Sequence, residues 1–505
     1  MNVTQLIDAD VAIIGSGMGG GTLARALGER GVNTVVIERG QRLPREDENW
    51  DATEVFAKHR YRNGEPWEDA NAGKVFDPGV HYWVGGNTKV FGASLPRFRF
   101  RDFEAFEFPE GISPEWPFTY ADLEPYYGIA EQWYRVHGTP GEDPTEPWRS
   151  SDYPFPALSH EPYVGEVVER LRAAGVRPYK MAMGVDLREG GTCIRCGTCD
   201  GFPCRLGAKS DAETCGIDPA VATGNVALHA GIEITRLLTG SDGGRVVAAE
   251  GRCEGKPVTV RAKTFVVSAG AANSAALLLR SANAKHPNGL ANSSGLVGRR
   301  YMVHNATFMA ALDPRVRNPT TFQKTVALND WYLDSELGFP LGNIQGLGKL
   351  QGVMVKNARR YVPTALLNVA TSRSMDWYLE SEDLPDPENR VTLAADGRIR
   401  IHWKQNNMRS HKALIAQTRQ LLKLAGFPIV VHQTMGIETN SHMCGTAVAG
   451  TDPSSSVLDQ HCRSHDVENL FVVDSSYFPS AAAVNPALTI AAQAIRVARE
   501  GDLLR

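Results

Sequence analysis

The stretch that decides the fold is ADVAIIGSGMGGGTLARALGERGVNTVVIERG, residues 9–40. It begins with a short apolar strand, DVAIIG, which a glycine-rich turn joins to an amphipathic helix. A second apolar strand, NTVVIERG, follows the helix. Strand, helix and strand in this order form a βαβ unit, and the pattern predicts an α/β fold with a Rossmann-like sheet.

Three glycines in the turn have the spacing of a dinucleotide-binding fingerprint, Gly15-x-Gly17-x-x-Gly20. Such glycines permit a tight turn and let backbone N–H groups approach a pyrophosphate at the positive end of the helix. Glu38 ends the second strand, 23 residues after Gly15, where a carboxylate accepts hydrogen bonds from a ribose diol. We therefore expect FAD or NAD rather than NADP, and these residues alone do not choose between the two. The alternative is a glycine-rich turn in an unrelated α/β protein.

The composition is that of an ordinary globular protein and disfavours several classes. The chain has 505 residues, enough for two or three domains at roughly 150 residues each. Lys and Arg number 53 against 57 Asp and Glu, and the net charge of -4 disfavours binding to nucleic acids or anionic membranes. The most apolar run, residues 265–279, is interrupted by polar residues before it reaches the ~18 residues that a membrane helix needs.

The first residues and the cysteine content bear on the compartment. MNVTQLIDAD has neither the basic nor the apolar region of a secretory signal. Eight cysteines in a chain of this length do not form a disulfide scaffold. We expect a cytoplasmic protein, a monomer or a small homo-oligomer, with no nucleic-acid or membrane partner.

Hydrophobic periodicity predicts further elements along the chain. Thr119 is a plausible N-cap, because Asp122 follows three residues later as in a capping box. The predicted elements are helices at about 119–137, 161–174 and 271–281, β-structure over 225–270 and 300–430, and a closing helix from Pro486.

Two polar residues near the C-terminus are candidate catalytic groups. His442 lies just before Gly445-Thr446, and Asn485 lies 43 residues after His442 and directly before Pro486. Taken singly, the histidine would be a structural residue and the asparagine a turn residue. Together with the N-terminal fingerprint, the segments HMCGT and NLFVVDSSYFPSAAAVNPALTIAAQAI resemble the closing part of the glucose-methanol-choline (GMC) oxidoreductases, which are FAD enzymes.

The resemblance extends to the middle of the chain. VGGNTKVFGASLPRFR (84–99) is similar to the family's Gly-Gly segment under the flavin, and VVSAGAANSAALLLRS (266–281) to its second signature, with Ala275 where many members have proline. GLVGRRYMVHN (295–305) and SEDLPDPENRVTL (381–393) resemble the branch of pyranose oxidases and bacterial glycoside oxidases and dehydrogenases. The resemblance covers about 1–135, 190–310 and 430–505 and is thin over 311–375.

The resemblance implies how the chain is organised and what it binds. A Rossmann-like FAD-binding domain of the α/β type is interleaved with a substrate-binding domain made of a β-sheet and helices. The chain as a whole is then of the α+β class. The expected FAD-binding segments are 1–95, 211–310 and 431–505, and the expected substrate-binding segments are 96–210 and 311–430, with a Cys-rich loop at 191–215. The residues expected to bind FAD are Gly15, Gly17, Met18, Gly20, Glu38, Arg39, Gly85, Gly86, Asn87, Thr88, Ala269, Asp474, Ser475, Pro486 and Thr489.

The FAD is expected to be bound non-covalently. Fungal pyranose oxidases attach FAD to a histidine a few residues after Gly-Gly, and Val90 occupies the matching position here. Lys89 is a poor substitute, and His81, which precedes the glycines, is expected to be an ordinary surface or turn histidine.

Four closely spaced cysteines, Cys193, Cys196, Cys199 and Cys204, resemble an iron–sulfur or zinc site. Some GMC sugar dehydrogenases carry a cluster in this region. The spacing differs from the bacterial ferredoxin pattern, in which proline follows the last cysteine, whereas Pro203 precedes it here. We expect a structural loop of thiols near the substrate entrance and no metal.

The resemblance implies oxidation of a secondary ring hydroxyl of a glucose-type pyranose or O-/C-glycoside, by hydride transfer to flavin N5. His442 is expected to be the base and Asn485 to hold the hydroxyl group. Position 3 is favoured over position 2, because the bacterial glycoside oxidases are most similar, and O2 is the expected acceptor. Aromatic residues over 116–134 and 376–403 suit the apolar face of a pyranose.

Two alternatives stay open. One is a dye- or electron-carrier-linked sugar dehydrogenase, with or without an iron–sulfur cluster. The other is a protein that holds FAD without redox chemistry, and the presence of both His442 and Asn485 argues against it.

Overall fold

The computed structural model describes residues 5–62, 65–439 and 442–504. In chain order, the strands are β1 Gln5–Ile14, β2 Thr34–Glu38, β3 Trp67–Asp69, β4 Lys74–Phe76, β5 Phe106–Phe108, β6 Gly111–Ser113, β7 Val136–Gly138, β8 Phe155–Pro156, β9 Tyr179–Lys180, β10 Met183–Gly184, β11 Val226–Ala230, β12 Ile232–Thr239, β13 Val246–Cys253, β14 Lys256–Val267, β15 Asn305–Leu312, β16 Val326–Leu328, β17 Asn343–Gly346, β18 Ser374–Ser381, β19 Arg390–Leu393, β20 Ile399–His402, β21 Ile429–Thr434 and β22 Leu470–Val472. The α-helices are α1 Met18–Gly28, α2 Tyr120–Trp133, α3 Pro162–Ala173, α4 Asp218–Ala222, α5 Ala271–Arg280, α6 Gly352–Val355, α7 Thr364–Thr371, α8 Met408–Leu424 and α9 Ala487–Glu500.

A seven-stranded sheet contains the βαβ unit at its centre. The strand order is β11-β2-β1-β14-β13-β12, and β22 pairs with the end of β14. β1 runs parallel to both β2 and β14, as the βαβ pattern predicts. Every residue of β2 is buried, which is typical of a parallel strand covered on both faces. Helices α1 and α9 pack against each other on this sheet. The predicted Rossmann-like fold is confirmed.

Glycines are required where β1 turns into α1. Gly15 has a φ of +106°, and a Cβ atom there would lie 2.2 Å from the carbonyl oxygen of Ser268. A Cβ atom on Gly20 would lie 2.0 Å from the carbonyl oxygen of Gly15. These contacts explain the first and third glycines of the fingerprint, because any side chain would force the helix away from the sheet.

A second, six-stranded sheet has the order β21-β15-β18-β17-β16-β9. Its strands are antiparallel, and α3 and α8 pack on it through a separate apolar cluster. Helix α8 corrects the prediction of mainly β-structure over 300–430, a segment that also holds α6 and α7. The helical signal was present, because Leu414, Leu421 and Leu422 recur at helical spacing and are all buried.

Several predicted elements are confirmed. Thr119 caps α2, and its side chain accepts a hydrogen bond from the backbone N–H of Asp122. Helix α3 buries the apolar face that was predicted for 161–174. The remaining confirmed elements are strands β11–β14, helix α5 and the closing helix α9.

The predicted division into two domains needs local adjustment and stays a proposal. β21 spans the boundary placed at 430/431 and pairs with β15, so the division falls better after Thr434. β3 and β4 lie within the segment 1–95 that was assigned to the FAD-binding domain, yet β3 pairs with β20. Among the described residues, no helix is long and apolar enough to cross a membrane.

Candidate active site

A cavity of about 900 Å³ is lined by parts of both large sheets. One part of its wall is the glycine-rich turn after β1 and the end of β2. Another part comes from the six-stranded sheet, including Gln345 and Tyr378. His442 and Asn485, the two predicted catalytic residues, both line this cavity. The size is typical of a cavity for a cofactor together with a small molecule.

His442 is held by a buried carboxylate that the sequence did not indicate. Its Nδ1 lies 2.8 Å from Oε1 of Glu380, and the Glu380 side chain is fully buried. An ionised carboxylate can only accept hydrogen bonds, so we assign the proton of the neutral His442 imidazole to Nδ1. The Nε2 atom of His442 then carries a lone pair that can accept a proton.

A second histidine, His304, completes this cluster. Its Nδ1 lies 2.9 Å from Oε1 of Glu380, and its Nε2 lies 3.1 Å from the carbonyl oxygen of Ala481. Both ring nitrogens face acceptors, so we assign His304 as the doubly protonated, cationic form. Burial opposes this charge, but the attraction and hydrogen bond of Glu380 outweigh it and raise the pKa of His304.

The Glu380 carboxylate is therefore ionised at neutral pH. Burial favours its neutral form, but the interactions with His442 and His304 and the hydrogen bonds from them lower its pKa to about 2. The ligand atoms of the three residues lie within 4.8 Å of one another, the spacing of a candidate metal site. The Nδ1 atoms of His442 and His304 lie 2.8 and 2.9 Å from Oε1 of Glu380, which is the distance of direct hydrogen bonds to this carboxylate.

Asn485 is linked to the same carboxylate through Gln345. The Nε2 atom of Gln345 donates to Oε2 of Glu380 at 2.8 Å and to Oδ1 of Asn485 at 3.1 Å. Among the described residues, the Nδ2 group of Asn485 has no hydrogen-bond partner, and Asn485 lines the cavity. The site thus presents a base and an amide donor, which suits removal of a proton from a hydroxyl group.

The opposite end of the cavity fits a dinucleotide. A Cβ atom on Gly17 would meet no heavy atom within 4 Å, so there is open space beside the first turn of α1. This helix has no side-chain cap and no acidic residue in its first turn, which leaves its N–H groups available for a pyrophosphate. Gly86 faces Gly17, because a Cβ atom on Gly86 would lie 3.4 Å from the Gly17 Cα. Met18 also lines this end.

Glu38 and Arg39 lie where the ribose of a dinucleotide is expected. Glu38 accepts hydrogen bonds from the backbone and hydroxyl groups of Ser16 and from the backbone N–H of Gly40, while burial raises its pKa. Arg39 forms an ion pair with Glu65 at 2.7 Å and lies over the ring of Tyr82.

The C-terminal segment supplies the remaining wall. Asp474 accepts hydrogen bonds from Gly270 N–H at 2.9 Å and Ser274 Oγ at 2.5 Å, which ties the turn after β22 to the start of α5. The predicted residues Ala269, Asp474, Ser475, Pro486, Asn87 and Thr88 all line the cavity.

Three predicted cofactor residues lie elsewhere. Gly20 and Gly85 shape the backbone, the latter with a φ of +94°. Thr489 is fully buried and its hydroxyl contacts the Tyr127 hydroxyl at 2.6 Å, so it joins α9 to α2 and does not line the cavity.

The residues around Val90 bear on how the cofactor is held. Val90 lines the cavity and has no nucleophilic atom. The Nζ of Lys89 is buried and bound by Asp211 at 3.0 Å and Glu213 at 2.5 Å. His81 lies in an irregular segment, as expected of a turn histidine, but it lines the cavity, and burial lowers its pKa.

The Cys-rich loop touches the cavity through neighbours of its cysteines. Asp200 and Phe202 line the cavity. The buried Lys209 donates to the carbonyl oxygens of Cys199 and Phe202 at 2.8 Å, and this holds the loop in place. Burial raises the pKa of the Cys199 thiol to about 11.

The dinucleotide-binding end and the His442–Asn485 end, joined in one cavity, define a dinucleotide-dependent redox enzyme that acts on CH–OH groups. The chain belongs to the GMC oxidoreductase family: residues 84–306 match the N-terminal family model and residues 385–494 match the C-terminal one. The family binds FAD, so the sequence-based expectations of the family, of the fold and of FAD are confirmed.

Curated relatives agree with this assignment, and one solved structure agrees with the fold. The chain is 31% identical over 526 residues to 6'''-hydroxyparomomycin C oxidase of Streptomyces lividus, covering 97% of this chain and 90% of that protein. It is 29% identical over 528 residues to paromamine 6'-oxidase of Streptomyces fradiae, covering 98% and 92%. Pyridoxine 4-oxidase from Mesorbium loti has a similar structure, with a TM-score of 0.70 at 19% identity over 97% of this chain and 99% of that one.

Proposed function

We propose that this enzyme oxidises a hydroxyl group of a sugar or glycoside to a carbonyl group. The observation that carries the proposal is the pair formed by His442 and Asn485 at the cavity wall, both linked to Glu380. Non-covalently bound FAD supplies the acceptor for the hydride that leaves the substrate carbon.

The chain's own residues handle the proton and the oxygen atom. His442 takes the hydroxyl proton at Nε2 while the C–O bond becomes a double bond. The imidazolium that results is stabilised by Glu380, 2.8 Å from Nδ1. Asn485 donates its amide N–H to the substrate oxygen, which fixes the carbon and stabilises developing negative charge.

Features of the cavity support a polyhydroxylated substrate. Tyr378, Phe91 and Phe308 offer aromatic surface, and the paired Asp200 and Lys324 offer polar groups. The expectation that aromatic residues over 116–134 contact the substrate is wrong. Trp116, Tyr120, Tyr127 and Tyr134 are buried in the core beneath the seven-stranded sheet and do not line the cavity.

Two kinds of hydroxyl group are candidates for the one that is oxidised. We favour a secondary ring hydroxyl, position 3 before position 2, on the similarity to bacterial glycoside oxidases. The names of the two Streptomyces relatives point instead to position 6, a primary hydroxyl. NMR of the products of glucose and of an O- or C-glucoside separates the two, because a ring ketone and an aldehyde have distinct carbon shifts. If no sugar is oxidised, the proposal is wrong.

We propose O2 as the electron acceptor. An oxygen electrode and a hydrogen peroxide assay test this directly, and an anaerobic assay with an artificial dye tests the dehydrogenase alternative. Activity with dye alone, together with stoichiometric iron, would favour the cluster-containing dehydrogenase over the oxidase.

A further inference from the structure

Gln345 occupies a position from which it controls the orientation of the Asn485 amide. It is a strand residue of β17, almost fully buried, and its Nε2 group contacts both Glu380 and Asn485. Glu380 is an ionised carboxylate and can only accept hydrogen bonds. The amino end of Gln345 must therefore face Glu380, and the same end must then face the oxygen of Asn485.

Asn485 has a competing environment on its other side. Ser94, Gln345 and Asn485 line both the main cavity and a small polar cavity of about 20 Å³. The volume suffices for about one water molecule. Arg99 and Asp143, which form an ion pair, also line this small cavity and make its wall polar. The contact with Gln345 selects one orientation among those that the surroundings permit.

We propose that Gln345 is a positioning residue, which fixes the Asn485 amide with its N–H group toward the substrate oxygen. The inference rests on the proposed function, in which Asn485 acts on that oxygen. One carboxylate then positions both catalytic groups, His442 directly and Asn485 through Gln345. The base and the amide donor are therefore fixed relative to each other. The pairing of β17 with β18 holds Gln345 beside Glu380 and so maintains this geometry.

The first test removes the donor. Gln345→Leu should lower the rate of flavin reduction by about 10- to 100-fold, the usual effect of losing an outer partner of a reactive group, with little change in KM or FAD content. The matched control is Gln405→Leu, since Gln405 is half-buried and, among the described residues, its side chain forms one hydrogen bond, to the Met435 carbonyl oxygen at 3.4 Å. This control should react at the wild-type rate.

The second test uses pH as a readout that a merely structural role would not move. In Gln345→Glu, the introduced carboxyl group lies beside Glu380, and the like charge raises its pKa. When the introduced carboxyl group is protonated, it still donates one hydrogen bond. When it is ionised, it donates none and repels Glu380. The variant should therefore be most active at low pH and lose activity as the pH rises, relative to wild type.

Two outcomes separate failure of the inference from failure of the proposed function. If Asn485→Ala is impaired while Gln345→Leu reduces its flavin at the wild-type rate, the positioning role is wrong and the function stands. If Asn485→Ala itself reacts at the wild-type rate, the catalytic role of Asn485 is wrong. If Gln345→Glu loses the same fraction of wild-type activity at every pH, the inference is also overturned. This result counts even when Gln345→Leu fails to fold.

Discussion

Replacing Glu380 with glutamine removes one charge at the centre of the site and keeps the shape of the side chain. The pKa of Glu380 is about 2 against an ordinary value of 4.5. At about 1.4 kcal/mol for each pH unit, the difference corresponds to about 3–4 kcal/mol of net stabilisation of the carboxylate, which remains after the opposing effect of burial. The same attraction stabilises the imidazolium that forms on His442. Its loss therefore predicts a decrease of about 100-fold in the rate of flavin reduction.

The assay is anaerobic stopped-flow reduction of the bound FAD by saturating sugar at pH 7. Glu382→Gln is the matched control, because Glu382 is two residues away and also buried, yet burial raises its pKa to about 8. At pH 7 its carboxyl group is already neutral, so this control should react at the wild-type rate. A Glu380→Gln variant with full FAD content and an unchanged rate would refute the role assigned to the carboxylate. The unfolding free energy should also fall, by about 3–5 kcal/mol, because His304 loses its buried counter-ion.

Three further outcomes are expected. His442→Ala should retain FAD but reduce it about 100- to 10,000-fold more slowly, as measured by stopped flow, and a wild-type rate would contradict its role as base. Acid precipitation should release FAD into the supernatant, since Val90 offers no attachment point, and flavin in the pellet would contradict non-covalent binding. Because the pKa of Glu382 is raised in the folded protein, the unfolded chain releases the Glu382 proton at a lower pH than the folded protein does. The contribution of Glu382 to the free energy of unfolding therefore falls as the pH rises from about 4.5 to 8. In urea unfolding of the holoenzyme, the free energy of unfolding should fall less between pH 5 and pH 8 for Glu382→Gln than for the wild type. An equal fall would refute the assignment.

The residues that could be predicted carry local signals. The turn from Gly15 to Gly20 follows a strand and opens a helix, and Glu38 follows at a fixed distance, so short-range spacing indicates the fold and the cofactor. His442 and Asn485 could be proposed because each lies in a segment that resembles the family, and the structure places both at one cavity.

The residues that could not be predicted depend on long-range register. Glu380 meets His304 because β18 pairs with β15, with Ala306 opposite Glu380. Gln345 reaches Glu380 because β17 lies on the other edge of β18. A slip of one residue in either pairing would turn these side chains to the opposite face of the sheet, and no local pattern specifies that register.

The pairing of β14 with β22 has a consequence for the order of events during synthesis. The end of β14 lies beside a strand about two hundred positions later, and the Ser268 hydroxyl donates to the carbonyl oxygen of Val473 over a separation of 205 residues. While the ribosome makes the chain from its N-terminus, the edge of β14 stays open until residues 470–472 emerge. The nascent chain therefore carries an unsatisfied strand edge while about two hundred further residues are made. Because Asp474, Ser475 and Pro486 line the cavity, cofactor loading can be completed only after Pro486 has been made.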